Sequence, residues 1–209
     1  KTSLLRHLLE TANGKRIAVV INEFGDLGID REIVTGCGIE ACREEDVVEL
    51  ANGCICCTVA DDFLPTIQAL LDRPNPPEHI VIETSGLALP KPLVKAFAWP
   101  EVRSRVTVDG VVAVIDAAAV AAGRFADDPA AVQKQREADA ALDHDNPLEE
   151  VFEDQLLCAD LVVMNKRDLL GAEDHARIAR EIGESLRPGV KVVASDHGRV
   201  PIEALLGIE

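Results

Sequence analysis

Asn165-Lys166-Arg167-Asp168 follows the apolar run Leu161–Met164 directly, and that order of side chains can read a purine. The Asp168 carboxylate can accept two hydrogen bonds at once; the ring N1–H and exocyclic amine of guanine offer that pair of donors, and adenine does not. Asn165 is then expected on the opposite base edge, with the Lys166 stem over the base face. A plain polar turn between strand and helix could carry the same residues, so the tetrad needs companions. Lys1-Thr2-Ser3 opens an amphipathic segment and matches the end of G-x-x-x-x-G-K-[ST], in which Lys reaches the β- and γ-phosphates and the hydroxyl binds Mg²⁺. Thr and Ser are also ordinary helix caps. The glycines of that motif do not precede Lys1, and a chain starting on Lys rather than Met reads as one cut inside its phosphate loop.

Ile80-Val81-Ile82-Glu83-Thr84-Ser85-Gly86 is an apolar run ending in an acid, with Gly three residues on. Glu83 stands where a strand-terminal carboxylate would hold Mg²⁺, and Gly86 where backbone can approach a γ-phosphate closely. A surface or capping Glu is the competing explanation. Lys1, Thr2 and Glu83 are therefore the expected catalytic set, Thr2 and Glu83 the expected Mg²⁺ ligands, and Lys1, Thr2, Ser3, Gly86, Asn165, Lys166 and Asp168 the expected nucleotide contacts. In this order, the three motifs have the separation of a P-loop GTPase.

Asn52-Gly53-Cys54-Ile55-Cys56-Cys57 carries a different chemistry. Neighbouring strand residues face opposite sides, so Cys56 and Cys57 converge only in a turned loop, which Gly53 permits. Thiolates of Cys54, Cys56 and Cys57 would supply most of a tetrahedral site for Zn²⁺ or Co²⁺, open for transfer if water is the fourth ligand. A closed structural zinc site, with Cys37, Cys42 or a His as the fourth ligand, is the alternative. His144, in an acidic loop, is a candidate ligand or simply surface, and Cys158 reads as core. With five of the six cysteines clustered between 37 and 57, a secreted disulfide framework is not indicated.

Elements able to position these groups alternate along the chain. Strand-length apolar runs occur at Ile17–Ile21, Ile80–Ile82, Val111–Ile115, Leu161–Met164 and Val190–Ala194. Helical spacing occurs at Ser3–Thr11, Asp61–Leu71, Ala130–Leu142, Pro147–Cys158 and Ala172–Leu186, with a short closing helix at Val200–Leu206. The expected fold is α/β: one domain over residues 1–209, with a mostly parallel sheet flanked by helices on both faces. Its ligands should gather at the carboxyl ends of the strands.

A net charge of −16 opposes binding to nucleic acid or anionic lipid. Aromatic residues are only 3%, which leaves little for base stacking. No apolar run reaches the length of a membrane span and no signal peptide is evident, so a cytoplasmic protein is expected.

These stretches carry a resemblance. Lys1-Thr2, Ile21–Asp30, Asn52–Cys57, Glu83–Gly86, Val108–Val111 and Asn165–Asp168 together resemble the CobW/HypB/UreG family of P-loop GTPases, and within it the metal chaperones with a C-x-C-C motif. The resemblance implies that Mg²⁺–GTP orders the thiol site, that Cys54, Cys56 and Cys57 hold metal, and that hydrolysis releases it to a client protein. Gly36–Cys42, Thr58–Pro65 and Pro147–Gln155 resemble the cobalamin-biosynthesis branch, which implies Co²⁺ as cargo and a cobaltochelatase as client. The smaller C-terminal domain of relatives has no counterpart in these residues. The loop from Glu23 to Asp30 is the expected switch, coupling nucleotide state to metal affinity, although Glu23 and Asp26 would equally suit a solvated turn. A zinc-delivering GTPase and a non-enzymatic zinc-binding or redox module with a decayed nucleotide site remain open beside the cobalt reading.

Overall fold

The computed structural model describes residues 1–22, 46–49, 63–84, 86, 90–124, 130 and 148–208. Helix α1 (Thr2–Glu10) leads into β1 (Ile17–Asn22), followed by β2 (Val47–Glu49), α2 (Leu64–Leu71), β3 (His79–Thr84), α3 (Pro90–Ala96) and α4 (Pro100–Arg103). The second half runs β4 (Val112–Asp116), α5 (Ala117–Ala121), α6 (Leu148–Cys158), β5 (Leu161–Asn165), a 3₁₀ turn (Arg167–Leu169), α7 (Ala172–Ser185), β6 (Lys191–Ala194) and α8 (Ile202–Leu205).

The described strands pair in parallel throughout, as two three-stranded sheets ordered β2-β1-β3 and β4-β5-β6. Pleat alternation sorts their side chains between two layers of helix. Ile17, Val19 and Ile21 of β1 and Leu161 and Val163 of β5 join one apolar cluster with Leu4, Leu5, Leu8 and Leu9 of α1 and with Ile202 and Leu205 of α8. Ala18 and Val20 face the opposite way, onto Phe63, Ile67 and Leu70 from α2 and its start and onto Leu93 and Ala96 of α3. Val162 and Met164 face Leu156 of α6 and Ile178 and Ile182 of α7. Four leucines at i, i+1, i+4 and i+5 give α1 its buried stripe, each worth about 1.5–3 kcal/mol against exposure.

The expected fold class is present, with helix and strand limits displaced by only a few residues. The Asp61–Leu71 helix is seen as Leu64–Leu71, residues 61–62 lying outside the described set. Of the Ala130–Leu142 helix only residue 130 is described, and it is helical. Strand β2 and helices α3, α4 and α5 add to the expected elements. In α3 and α4, Pro90 and Pro100 sit at the first helical residue, where a missing N–H costs nothing.

Candidate functional site

Lys1 caps the start of α1, and its side chain turns toward the end of β3. Nζ donates to the Thr84 carbonyl at 2.5 Å and lies 3.9 Å from Glu83 Oε1. A Cβ added to Gly86 would come within 3.9 Å of the same nitrogen. Lys1 thus meets Glu83 and Gly86, more than eighty residues away along the chain, at one strand end, with Thr2 and Ser3 following it in the first turn of α1. The Glu83 side chain is only 16% exposed, and carboxylate and hydroxyl oxygens such as those of Glu83 and Thr2 are the hard donors that Mg²⁺ takes. The residues fit such an ion.

The tetrad begins on the last residue of β5. Asn165 Oδ1 accepts from the Gly198 amide at 2.8 Å, which keeps that side chain from rotating. Lys166 takes up left-handed backbone, φ 60°, and its Nζ lies 2.6 Å from Asp116 Oδ2 at the end of β4. Asp116 also caps α5, accepting from the Ala119 amide at 3.0 Å. Burial pushes the Asp116 carboxyl up, but the Lys166 ammonium and the Ala119 amide outweigh it and hold it below its usual value. The Asp168 carboxylate is partly exposed, 3.8 Å from His197 Nε2.

The loop after β6, Ser195–Arg199, ties these two groups together, and the sequence reading did not single it out. Arg167 makes a two-pronged contact with Asp196, Nε to Oδ1 at 3.1 Å and Nη2 to Oδ2 at 2.7 Å. The Arg167 amide donates to the Ser195 carbonyl, and the Ser195 amide to the Met164 carbonyl. Gly198, at φ +74°, presses on α1: an added Cβ would stand 2.5 Å from Leu4 N and 2.7 Å from the Ser3 carbonyl carbon. One residue therefore binds the Asn165 side chain and abuts the turn that begins at Thr2. Ser195 and Asp116 each come directly after an apolar run, the position where ligand-facing groups collect in open α/β sheets, and that signal would have found both.

Cys54, Cys56 and Cys57, with Cys37, Cys42, Glu23, Asp26 and His144, lie outside the described residues. Among the described residues no His, Cys, Asp and Glu cluster suits a metal ion. Cys158 ends α6 half-buried, not in the core, and burial pushes its thiol pKa up.

Comparison with known proteins gives the chain its family. Residues 1–194 match the family model described as CobW/HypB/UreG, nucleotide-binding domain. The chain is 56% identical over 208 residues to a zinc chaperone CobW of Sinorhizobium sp, covering 100% of this chain and 59% of that protein. It is 54% identical to the zinc chaperone CobW of Pseudomonas aeruginosa, again over 100% of this chain and 56% of the relative. A zinc-regulated GTPase metalloprotein activator 1 of Schizosaccharomyces pombe is 34% identical over 96% of this chain and 44% of its own length. The chain thus spans less than two thirds of the length of these curated relatives. The crystal structure of Zn(II)-bound YjiA GTPase from E. coli superimposes with a TM-score of 0.58 at 23% identity, over 99% of this chain and 57% of that one, and shows a common fold. By the span of the family match and the level of these identities, the chain belongs to the CobW/HypB/UreG family, as its nucleotide-binding domain.

Proposed function

We propose that residues 1–209 form the GTP-hydrolysing domain of a metallochaperone whose cargo is Zn²⁺. One observation supports the nucleotide half of this reading: through Gly198, the side chain of Asn165 and the first turn of α1 share a contact, as they would if base-reading and phosphate-binding groups served one ligand. Asp168 would accept from the N1–H and amine of guanine, with Lys166 along the ring and Asn165 on the far edge. Discrimination against adenine on such paired hydrogen bonds reaches roughly 10⁴-fold in sites of this kind.

At the other end Lys1 would neutralise the β- and γ-phosphates, and Thr2 with Glu83 would hold Mg²⁺, which supplies charge neutralisation when bound. The Thr84 carbonyl and the Glu83 carboxylate would keep the Lys1 ammonium aimed across the strand end, and the Gly86 backbone would leave room for the terminal phosphate. The cargo would sit on Cys54, Cys56 and Cys57 and pass to a client protein in the cytoplasm on GTP turnover. No helix among the described residues is long and apolar enough to cross a membrane.

The names of the two relatives above half identity support Zn²⁺ over the Co²⁺ that the sequence resemblance implies. With Co²⁺ as cargo the client would be a cobaltochelatase. Thiolate ligands serve either ion, so the choice is experimental. Competitive Zn²⁺ and Co²⁺ titration with Mg²⁺–GTP present should give tighter Zn²⁺ binding, lost in C56S; preferential Co²⁺ retention would reverse the assignment. Absence of both GTP turnover and guanine binding would instead favour the non-enzymatic zinc-binding or redox module.

A further inference from the structure

Gly86, just past β3, and Lys91, in α3, are each held by α6, through its consecutive residues Gln155 and Asp154. Gln155 Nε2 donates to the Gly86 carbonyl at 2.8 Å, across 69 positions of sequence. Next to it, Asp154 Oδ1 accepts from Lys91 Nζ at 2.5 Å, in the first turn of α3. Lys1, from the start of α1, grips the end of β3 through the Thr84 carbonyl. Gly86 therefore stands between α6, which holds its carbonyl, and Lys1, whose ammonium is 3.9 Å from the position of an added Cβ.

A glycine peptide turns more freely than any other, so its direction is set by whatever holds its polar atoms. Here that holder is the carboxamide of Gln155. We infer that Gln155 is a positioning residue for the terminal-phosphate subsite, and that α6, through Gln155 and Asp154, distinguishes a nucleoside triphosphate from a diphosphate. The inference rests on the proposed reading in which Lys1 and Gly86 border the third phosphate. Diphosphate lacks the group that Gly86 would meet, so the clamp contributes to triphosphate binding and little to diphosphate binding. Binding linkage makes the relation reciprocal: the third phosphate strengthens the hold of α6 on Gly86. Lys91 and Asp154 form an exposed pair and contribute less than the Gln155 bond.

Gln155→Glu keeps the shape and removes the donor, placing a carboxylate against the Gly86 carbonyl. In the full-length protein with Mg²⁺, affinity for a non-hydrolysable GTP analogue should fall about three- to ten-fold, the range a single net hydrogen bond spans, while GDP affinity changes less than about two-fold. Lys91→Met slackens the same clamp from an exposed position, and should shift the analogue-to-GDP affinity ratio in the same direction by about two-fold. If Gln155→Glu does not fold, the ratio in Lys91→Met decides alone. Equal losses for both nucleotides, or an unchanged ratio, overturn the clamp while leaving the nucleotide site standing. A wild-type protein that binds neither nucleotide overturns the nucleotide reading, and the clamp with it.

Discussion

Lys166 Nζ and Asp116 Oδ2 lie 2.6 Å apart across the carboxyl ends of two neighbouring strands, and in register Asp116 is the strand partner of Asn165. The last residue of β4 thus steadies a side chain of the tetrad at the end of β5. Replacing Asp116 by Asn keeps an acceptor for the Ala119 amide and removes the charge facing Lys166. Because Lys166 is 39% exposed, solvent screens the pair, and the expected loss in guanine-nucleotide affinity is modest, about 1 kcal/mol or some five-fold. Calorimetric GDP titration would check it; an unchanged affinity would show that Lys166 needs no anchor.

The same carboxyl gives a pH signature. Its folded pKa is held below the ordinary value, so it contributes stability that is fully present above the unfolded-state pKa and lost as pH falls through the folded one. Urea denaturation from pH 7 downward should show wild type losing more stability than Asp116→Asn in the acid range below the usual carboxylate value. The reverse slope would mean that burial, not Lys166, governs this group.

Glu83→Gln should separate function from folding. The carboxylate is 3.9 Å from Lys1, a distance at which ion pairing contributes at most about 1 kcal/mol, so the melting temperature should move by only a few degrees. GTP turnover should fall on the order of 10²-fold if this group helps hold Mg²⁺. Turnover at the wild-type rate would remove Glu83 from the site.

Gly198→Ala tests the contact between the loop after β6 and α1. Positive φ and a Cβ 2.5 Å from Leu4 N leave no relaxed position for a methyl group, so destabilisation of at least about 2 kcal/mol is expected in urea unfolding. Nucleotide affinity should drop together with stability, since Asn165 accepts its bond from the same residue. A stable variant with normal GDP binding would show that the two groups do not need this contact.

Cys158 should be a poor nucleophile. With its thiol pKa raised by burial, iodoacetamide at pH 8 should label it more slowly than a cysteine in an unstructured peptide, and Cys158→Ala should leave zinc stoichiometry unchanged. Labelling at the peptide rate would contradict the burial.

Much of this was legible in the sequence because parallel strands buried on both faces are written as uninterrupted Val and Ile runs. Ile17–Ile21 and Leu161–Met164 show it, and the residues just beyond such runs stand at the carboxyl ends of the strands. What was not legible depended on contacts between distant segments. Val47–Glu49 is a three-residue strand with too short a run to show a period, and becomes one only by pairing with β1. Gln155 sits mid-helix in α6 with nothing in its neighbours to mark it, and acquires a role through a bond to Gly86. Asp116 looks like a helix cap, which it is, until the Lys166 ammonium is placed beside it.

Helix α1 puts one leucine stripe against strands from both sheets, so β1 and β5 share an apolar cluster besides the one that each sheet builds on its other face. In the proposed reading, a nucleotide held at the first turn of α1 would act as mortar for the two sheets at once, and its departure would loosen both together.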